Sequence, residues 1–214
     1  MPITFFENID ENTSIALWKI TETSDDLVQQ LQLKTHELTL LSSLIKEKRN
    51  LHWLATRVLL RKMLNTEEYI DCQADENGKP ILMNHPHHIS LSHSHDYAAV
   101  MVSKNKKVGI DIEIIKEKIV KVQHKFMSDA ELKAIQVENK IEPLYVCWCA
   151  KEAVYKLHGK KEISFKKHIQ LSKFDFESSG QLAAKIEKED FAENFTVYYK
   201  RIENYMLGYV TQSK

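Results

Sequence analysis

Apolar and polar residues alternate along residues 108–114, and this period of two predicts a β-strand. Its apolar positions form one face, and Gly109, Asp111 and Glu113 form the other. At a rise of about 3.3 Å per residue, the two carboxylates would lie about 6–7 Å apart, with room beside Gly109. Charges this close raise each other's pKa unless a cation lies between them. Taken alone, the stretch favours the solvated outer face of an amphipathic strand over a functional site.

The rest of the first half combines two helical patterns with short strand-like runs. A helix is predicted over residues 23–33 with Ser24 as its N-cap, and a longer one from about residue 35 to residue 64. NGKP at 77–80 marks a turn. The predicted strands are 15–20, 69–75, 80–83, 88–92, 97–103 and 108–115.

Helices and then strands return in the second half. Ser128 and Glu131 form a capping box for a helix over residues 128–137. Pro143 fits the first turn of another helix, which ends before Gly159. The predicted strands that follow are 169–174, 182–187, 195–202 and 205–211.

This order of elements predicts an α+β fold. Strand, helices and strands occur twice, which indicates two similar halves, residues 1–104 and 105–214. No sequence repeat accompanies the division.

The composition of the 214 residues is that of a globular protein with enough chain for a core. Lys+Arg and Asp+Glu both number 30, so the bulk charge predicts no attraction to nucleic acid or membranes. The odd number of cysteines argues against a disulfide framework, and Cys147 and Cys149 are interpreted as core thiols. No apolar run has transmembrane length and the N-terminus lacks signal-peptide features, so we expect a soluble, cytoplasmic protein.

The helix before Gly159 carries a stripe of chemistry-bearing side chains. Trp148, Glu152 and Lys156 are spaced four residues apart and share one face. A surface ion pair between Glu152 and Lys156, with a stability contribution of about 0.3–0.5 kcal/mol, leaves the tryptophan unexplained. Alternatively, Glu152 and Lys156 complete a magnesium and phosphate site with Asp111 and Glu113, since Mg²⁺ prefers oxygen ligands.

A histidine-rich run, HPHHISLSHSH at 85–95, is the next candidate. The spacing of His93 and His95 is compatible with zinc, but neither HExxH nor paired CxxC accompanies it. Alternatively, Ser92 and His93 end a strand where a hydroxyl and an imidazole contact a phosphate. Lys79 on the NGKP turn would reach an anion as a point charge.

Several common site motifs are absent from the sequence. There is no Walker GxxxxGK[ST], no GxGxxG after a strand, no GxSxG elbow and no EF-hand loop. Common nucleotide-binding and hydrolase functions are therefore disfavoured.

In order and spacing, these segments resemble the 4′-phosphopantetheinyl transferases of the surfactin-synthetase-activating type. The family shows GKP, then N-[IV]-S-H-S, then GIDIE, then W-[ST]-x-K-E-[AS]-x-x-K, and the last two together are specific. A helix at 55–64 fits the family's upstream helix more loosely. The matching segments are NGKP at 77–80, ISLSHS at 89–94, VGIDIE at 108–113 and WCAKEAVYK at 148–156.

The resemblance implies transfer of the phosphopantetheine arm from coenzyme A to a serine of an acyl or peptidyl carrier protein. Adenosine 3′,5′-bisphosphate would be the other product. It also implies a monomer that binds coenzyme A and Mg²⁺ in a cleft between two halves related by a pseudo-twofold axis.

The resemblance assigns the family's site roles to the matching positions of this sequence. Asp111, Glu113 and Glu152 would hold Mg²⁺ beneath the pyrophosphate. Glu152 is also the best candidate to take the serine proton, and this double role is a tension because a tight metal ligand is a weaker base. Lys156 would stabilise charge on the transferred or departing phosphate.

The resemblance also implies which residues bind coenzyme A. Ser92 and His93 would contact phosphate, and Lys79 the nucleotide portion. The alignment is too loose to choose one basic residue for the 3′-phosphate. The candidates are Lys46, Lys48 and Arg49.

The sequence departs from the family pattern at a few positions. Ser90 stands where asparagine is common, Leu91 lies inside the motif, and Cys149–Ala150 replaces a pair that usually carries a hydroxyl. None of these removes a named metal or phosphate ligand. Two alternatives stay open: a catalytically silent module that binds coenzyme A or a carrier, and a histidine-rich metal-binding protein.

Overall fold

The computed structural model describes residues 3–43, 47–135, 138–189 and 191–213. The helices of the first half are α1 Ser24–Val28, α2 Thr35–Ser43 and α3 Glu47–Leu64. Its strands are β1 Ile3–Asp10, β2 Thr13–Lys19, β3 Cys72–Ala74, β4 Pro80–Leu82, β5 His88–Ser94 and β6 Tyr97–Ser103.

The second half begins with a strand and ends with a run of strands, which confirms the mixed α+β class. Its helices are α4 Lys118–Val122, a 3-10 turn Gln123–Lys125, α5 Asp129–Ala134, α6 Ile141–His158 and α7 Phe165–His168. Its strands are β7 Lys106–Ile114, β8 Ile169–Leu171, β9 Ser179–Lys188, β10 Phe191–Ile202 and β11 Tyr205–Ser213. None of the helices in the described ranges is long and apolar enough to cross a membrane.

Two antiparallel sheets organise these elements. The first has the order β1-β2-β6-β5, and the second has the order β7-β11-β10-β9-β8. β3 and β4 form a separate hairpin that presents the NGKP turn. β5 and β7 are therefore edge strands of different sheets.

Three apolar clusters show how the layers stack. One cluster joins α3 to one face of the first sheet through residues such as Leu59 and Trp18. A second joins α6 to the second sheet, including Val154 and Met206. The third contains residues of both sheets, with Leu17 from β2 and Ile112 from β7. The two sheets therefore face each other, with α3 and α6 on the outside.

Several predicted boundaries are corrected. The helix predicted over 23–33 is only α1, and Thr23 rather than Ser24 is its N-cap, because Thr23 Oγ1 accepts the Asp26 N–H at 3.2 Å. The predicted 35–64 helix is described as α2 and α3, and residues 44–46 lie outside the described ranges.

Predicted and observed elements are also compared at the N-terminus and in the second half. β1 was not predicted; its sequence alternates weakly, and in the structure it pairs with β2. The helix predicted over 128–137 is α5, capped by Ser128 and Glu131 as expected; residues 136–137 lie outside the described ranges. α6 ends at Gly159, which adopts the predicted left-handed conformation with φ 73°.

Candidate functional site

Asp111 and Glu113 lie beneath a helix, so the interpretation of their face as solvated is wrong. Asp111 is only 4 % exposed and Glu113 is half-buried, because α6 covers this side of β7. Glycines permit the close approach: a Cβ at Gly109 would lie 2.0 Å from the Ala153 carbonyl oxygen. The room predicted beside Gly109 is thus filled by helix backbone.

Lys156 neutralises Asp111 from the neighbouring helix. Its Nζ lies 2.7 Å from Asp111 Oδ1 and donates to Ser92 Oγ at 2.9 Å. Within the described part of the chain, this lysine makes its salt bridge to Asp111 and not to Glu152. The alternative of an exposed Glu152–Lys156 ion pair is therefore wrong.

Ser94 holds Glu113 in place. Its Oγ donates to Glu113 Oε2 at 2.7 Å. Burial raises the pKa of Glu113 and the Asp111 charge raises it further, while polar interactions with Ser94 and the Trp148 side chain partly offset both effects. Contact with Glu113 explains why a tryptophan shares the stripe with Glu152 and Lys156.

Glu152 has a pKa suited to proton transfer. Burial and then the charge of Asp111 raise the pKa of this carboxyl to about 7, while Lys156 opposes the shift. In the described ranges its carboxylate makes no hydrogen bond that would fix it in the charged form. A carboxyl with a pKa near neutrality is effective as a general base or acid at physiological pH.

The three carboxylates supply the oxygen ligands that Mg²⁺ prefers, but they are not gathered into a ligand set. Across the part of the chain that the structure describes, no three His, Cys, Asp or Glu side chains are arranged to hold a metal ion. Asp111 Oδ2 is nevertheless buried without a hydrogen-bond partner, and repulsion raises the pKa of Glu113 and Glu152. A divalent cation would relieve both conditions, so the residues fit magnesium in their chemistry.

Ser92 and His93 lie on opposite faces of β5. Ser92 is buried against Asp111, to which its hydroxyl donates at 2.7 Å. His93 is exposed on the other face and stacks on His52 of α3, with ring centroids 4.2 Å apart. Burial, His52 and Lys156 lower the pKa of His93 to about 4.

His95, the second histidine of the zinc interpretation, pairs with a carboxylate. His95 Nδ1 lies 2.8 Å from Asp96 Oδ1, and His93 is engaged with His52. The geometry found among the described residues does not favour the zinc interpretation.

Lys79 contacts the end of the helix that carries Glu152 and Lys156. Its Nζ donates to the Leu157 carbonyl at 2.8 Å, and burial together with repulsion from Lys107 lowers its pKa to about 8. A cavity of about 190 Å³ opens beside it, between the NGKP turn, β5 and α6. A larger cavity of about 360 Å³, lined by α5 and β8, does not touch these residues.

Of the three candidates for a 3′-phosphate contact, Arg49 has the clearest placement. It lies exposed on α3, and its charge contributes to lowering the pKa of His93. Lys48 is exposed on the same helix, and Lys46 lies outside the described residues.

Sequence analysis assigned no role to Ser94 or His52, and it placed Trp148 on the stripe of α6 without a partner. A signal for the serine existed, because Ser90, Ser92 and Ser94 repeat at the strand period of two. No local signal connected Trp148 to Glu113 or His52 to His93, since both contacts join distant segments.

Comparison with known proteins points to the same family as the sequence motifs. Residues 107–210 match the model of the 4′-phosphopantetheinyl transferase superfamily. The 4′-phosphopantetheinyl transferase AcpT of Salmonella typhi is 32% identical over 117 residues, which are 52% of this chain and 60% of that protein.

Two further relatives come from other bacteria. The 4′-phosphopantetheinyl transferase gsp of Aneurinibacillus migulanus is 29% identical over 149 residues, 68% of this chain and 60% of that protein. The 4′-phosphopantetheinyl transferase psf-1 of Bacillus pumilus is 35% identical over 97 residues, 44% of this chain and 41% of that protein. The chain thus covers less than two thirds of the length of each of these relatives.

The matched segment contains β7 and α6, which supply all three carboxylates and Lys156. All three relatives are named as 4′-phosphopantetheinyl transferases. VGIDIE and WCAKEAVYK fall within residues 107–210, whereas NGKP and ISLSHS precede them. Residues 107–210 of this chain are therefore similar to the 4′-phosphopantetheinyl transferase superfamily.

Proposed function

We propose that this protein is a 4′-phosphopantetheinyl transferase that moves the arm of coenzyme A to a serine of an acyl or peptidyl carrier protein. The reaction releases adenosine 3′,5′-bisphosphate and depends on Mg²⁺. The observation that carries this proposal is the salt bridge between Lys156 and Asp111, which joins the VGIDIE strand to the WCAKEAVYK helix. Burial and the charge of Asp111 also raise the pKa of Glu113 and Glu152.

The proposed reaction is attack of a serine hydroxyl on the β-phosphorus of coenzyme A. The new bond joins the serine oxygen to this phosphorus, and the bond that breaks leads to the oxygen bridging to the nucleotide. Glu152 accepts the serine proton, for which a pKa of about 7 is favourable. Lys156 stabilises negative charge on the phosphates, because an ammonium in a partly buried site interacts strongly with developing charge.

Asp111, Glu113 and Glu152 are the residues that would hold the metal. When bound, Mg²⁺ would supply positive charge that offsets the negative charge of the phosphates. The two roles proposed for Glu152, base and metal ligand, conflict. The raised pKa of Glu152 is the physical basis of this conflict, because a proton and the metal compete for the same carboxylate.

Coenzyme A would bind along the cavity beside Lys79. We propose that Lys79 meets the nucleotide portion and that Ser92 and His93 contact phosphate, as the family pattern implies. The cations around His93 support an anion on this side, and Arg49 is our choice for the 3′-phosphate.

We also propose that the chain is a monomer of two similar halves, residues 1–104 and 105–214, with the active site in the cleft between them. Two facts support a division at this point. The first sheet ends with β6 at Ser103 and the second begins with β7 at Lys106, and each sheet is covered by one 18-residue helix. The pseudo-twofold relation is part of this proposal.

The carrier protein would dock near α4, which directly follows β7. Lys118 and Lys121 lie on this short helix beside exposed Val122, and the Lys118 charge acts on Glu113. Carrier proteins with an acidic helix would complement this surface, in the cytoplasm where coenzyme A is available. Because the chain has no net charge, the attraction is local and should weaken with salt.

Intact-mass spectrometry of a panel of apo carrier proteins tests the function. Incubation with this protein, coenzyme A and Mg²⁺ should add one phosphopantetheine arm to at least one carrier. EDTA and the Glu152→Gln variant should abolish the addition, while coenzyme A binding persists in the variant. The variant keeps the size of the side chain and removes its basic oxygen.

Negative outcomes separate the alternatives. Coenzyme A binding without transfer to any carrier would favour the catalytically silent module. Absence of both would contradict the proposed function altogether. Transfer that resists EDTA would leave the activity and remove the proposed role of the metal.

A further inference from the structure

Three buried serines join the edges of the two sheets. β7 is the edge strand of its sheet, and every second backbone N–H on it points away from β11. Three of these N–H groups donate to serine hydroxyls of β5, the edge strand of the other sheet. The pairs are Ile110 to Ser90 at 3.0 Å, Ile112 to Ser92 at 3.3 Å and Ile114 to Ser94 at 3.1 Å.

This serine ladder, Ser90, Ser92 and Ser94, follows from the strand period. Residues two apart on β5 share a face, and all three serines are buried between the sheets. An unpaired buried N–H is costly, so the hydroxyls satisfy an edge that no strand covers. The two sheets are thus connected by side chains where backbone pairing is absent.

Two of the three serines make a second bond. Ser92 Oγ donates to Asp111 Oδ1 and Ser94 Oγ donates to Glu113 Oε2, both at 2.7 Å. The corresponding position beside Ser90 is Gly109, which has no side chain. A serine hydroxyl can accept hydrogen bonds and can donate its single proton. Here it accepts the bond from the backbone N–H and donates its proton to the carboxylate.

We propose that Ser94 is a positioning residue for Glu113, whereas Ser90 connects the sheets and borders the cavity beside Lys79 without contacting a carboxylate. This inference rests on the proposed function, since it assigns Glu113 to the metal. Ser94 fixes one oxygen of Glu113 relative to the backbone of β7, so the carboxylate is oriented before metal and substrate arrive. Removing a hydrogen-bond partner of a metal ligand lowers metal affinity by about 10- to 100-fold.

The test compares Ser94→Ala with Ser90→Ala, which serves as its matched control. Both variants remove a hydroxyl that accepts a β7 N–H, but only the first removes a bond to a carboxylate. Three quantities are measured: the urea midpoint, Mg²⁺ affinity by calorimetry with coenzyme A present, and the Mg²⁺ concentration that gives half-maximal carrier modification.

Both alanine variants should lower the urea midpoint by similar amounts. Only Ser94→Ala should weaken Mg²⁺ binding and raise the half-maximal Mg²⁺ concentration, by about tenfold or more. Ser94→Thr keeps the hydroxyl and should restore both metal readouts. This conservative variant keeps the inference testable if Ser94→Ala does not fold.

Equal metal readouts for Ser94→Ala and Ser90→Ala, or failure of Ser94→Thr to restore them, would overturn the inference. The wild-type protein reports separately on the proposed function. If the wild-type protein transfers the arm but the two alanine variants have equal Mg²⁺ readouts, only the inference is refuted. If Ser94→Ala selectively loses Mg²⁺ binding but the wild-type protein transfers nothing, only the proposed activity is refuted. Absence of Mg²⁺ binding in the wild-type protein would overturn both the inference and the metal role.

Discussion

Lys156 Nζ on α6 lies 2.7 Å from Asp111 Oδ1 on β7, although the two residues are 45 positions apart in the sequence. The pair places an ammonium against Asp111, and the same charge opposes the raised pKa of Glu152. Burial and repulsion between the carboxylates would otherwise disfavour their charges. This one contact connects VGIDIE and WCAKEAVYK, the two most specific motifs of the resemblance, and gives the site its internal cation.

Lys156→Met should impair both stability and transfer. Asp111 would stay buried without its cation, which should lower the free energy of unfolding by about 1–3 kcal/mol. Phosphate charge would lose its ammonium, and the transfer rate should fall by about 100-fold or more. Urea unfolding and carrier mass spectrometry measure the two effects. Exposed Lys160→Met is the control, and equal behaviour of the two variants would contradict the assignment.

Gly109→Ala should destabilise the packing of α6 on β7. Its Cβ would lie 2.0 Å from the Ala153 carbonyl oxygen and 2.9 Å from Leu157 Cβ, so helix and strand must move apart. Overpacking of this kind costs about 1–3 kcal/mol in the free energy of unfolding, and the displaced helix would misplace Glu152. Thermal unfolding and transfer assays should both report the change.

Gly180→Ala provides the comparison for this substitution. The added Cβ would meet the Tyr199 hydroxyl at 2.8 Å, the far end of a side chain and not backbone. We expect a smaller loss of stability and normal transfer. A milder effect of Gly109→Ala than of Gly180→Ala would be inconsistent with the close approach of α6.

Lys151→Met should be strongly destabilising without touching the site directly. The Lys151 ammonium is fully buried, 2.8 Å from Glu131 Oε1, and its other acceptors are backbone carbonyls. These carbonyls belong to Phe126, Phe165 and Ile169. Removing one partner of a buried pair costs about 3–5 kcal/mol, which chemical denaturation can measure.

Lys166→Met is the matched control for Lys151→Met. Lys166 lies 3.9 Å from Asp129 Oδ1 in an exposed pair, for which we expect a change below about 1 kcal/mol. Similar losses in both variants would refute the view that burial makes Lys151 important.

Acid should destabilise the fold in part through His93. Burial, His52 and Lys156 lower its pKa to about 4, and Arg49 adds to the shift. The unfolded chain therefore binds the extra proton between about pH 6.5 and pH 4. The stabilising contribution of neutral His93 is present above about pH 6.5 and is lost as pH falls toward 4. Because the side chain is exposed, solvent screening makes the loss smaller than the full shift implies.

Urea midpoints measured above pH 6.5 and near pH 4 check this dependence. The drop in midpoint should be smaller for His93→Gln than for the wild-type protein. Exposed His36→Gln should retain the wild-type drop. An identical drop in all three proteins would show that His93 is not the responsible group.

The sequence by itself determined the class of the fold and the motifs of the site. Periodicity predicted most strands, and capping residues predicted the start of α5 and the end of α6 before Gly159. It also placed Asp111 and Glu113 on one face of β7, and Glu152 and Lys156 on one stripe of α6. These features depend on neighbouring residues, and a repeat of two or of about 3.6 records them directly.

The tertiary structure decided what covers each face. Periodicity could not show that α6 rests on Gly109, that Ser92 and His93 face different partners, or that Ser94 reaches Glu113. Such contacts depend on how two sheets and a helix pack across long separations in sequence. Burial then changes the electrostatics, because a carboxylate removed from water depends on the few charges and donors that the packing brings to it.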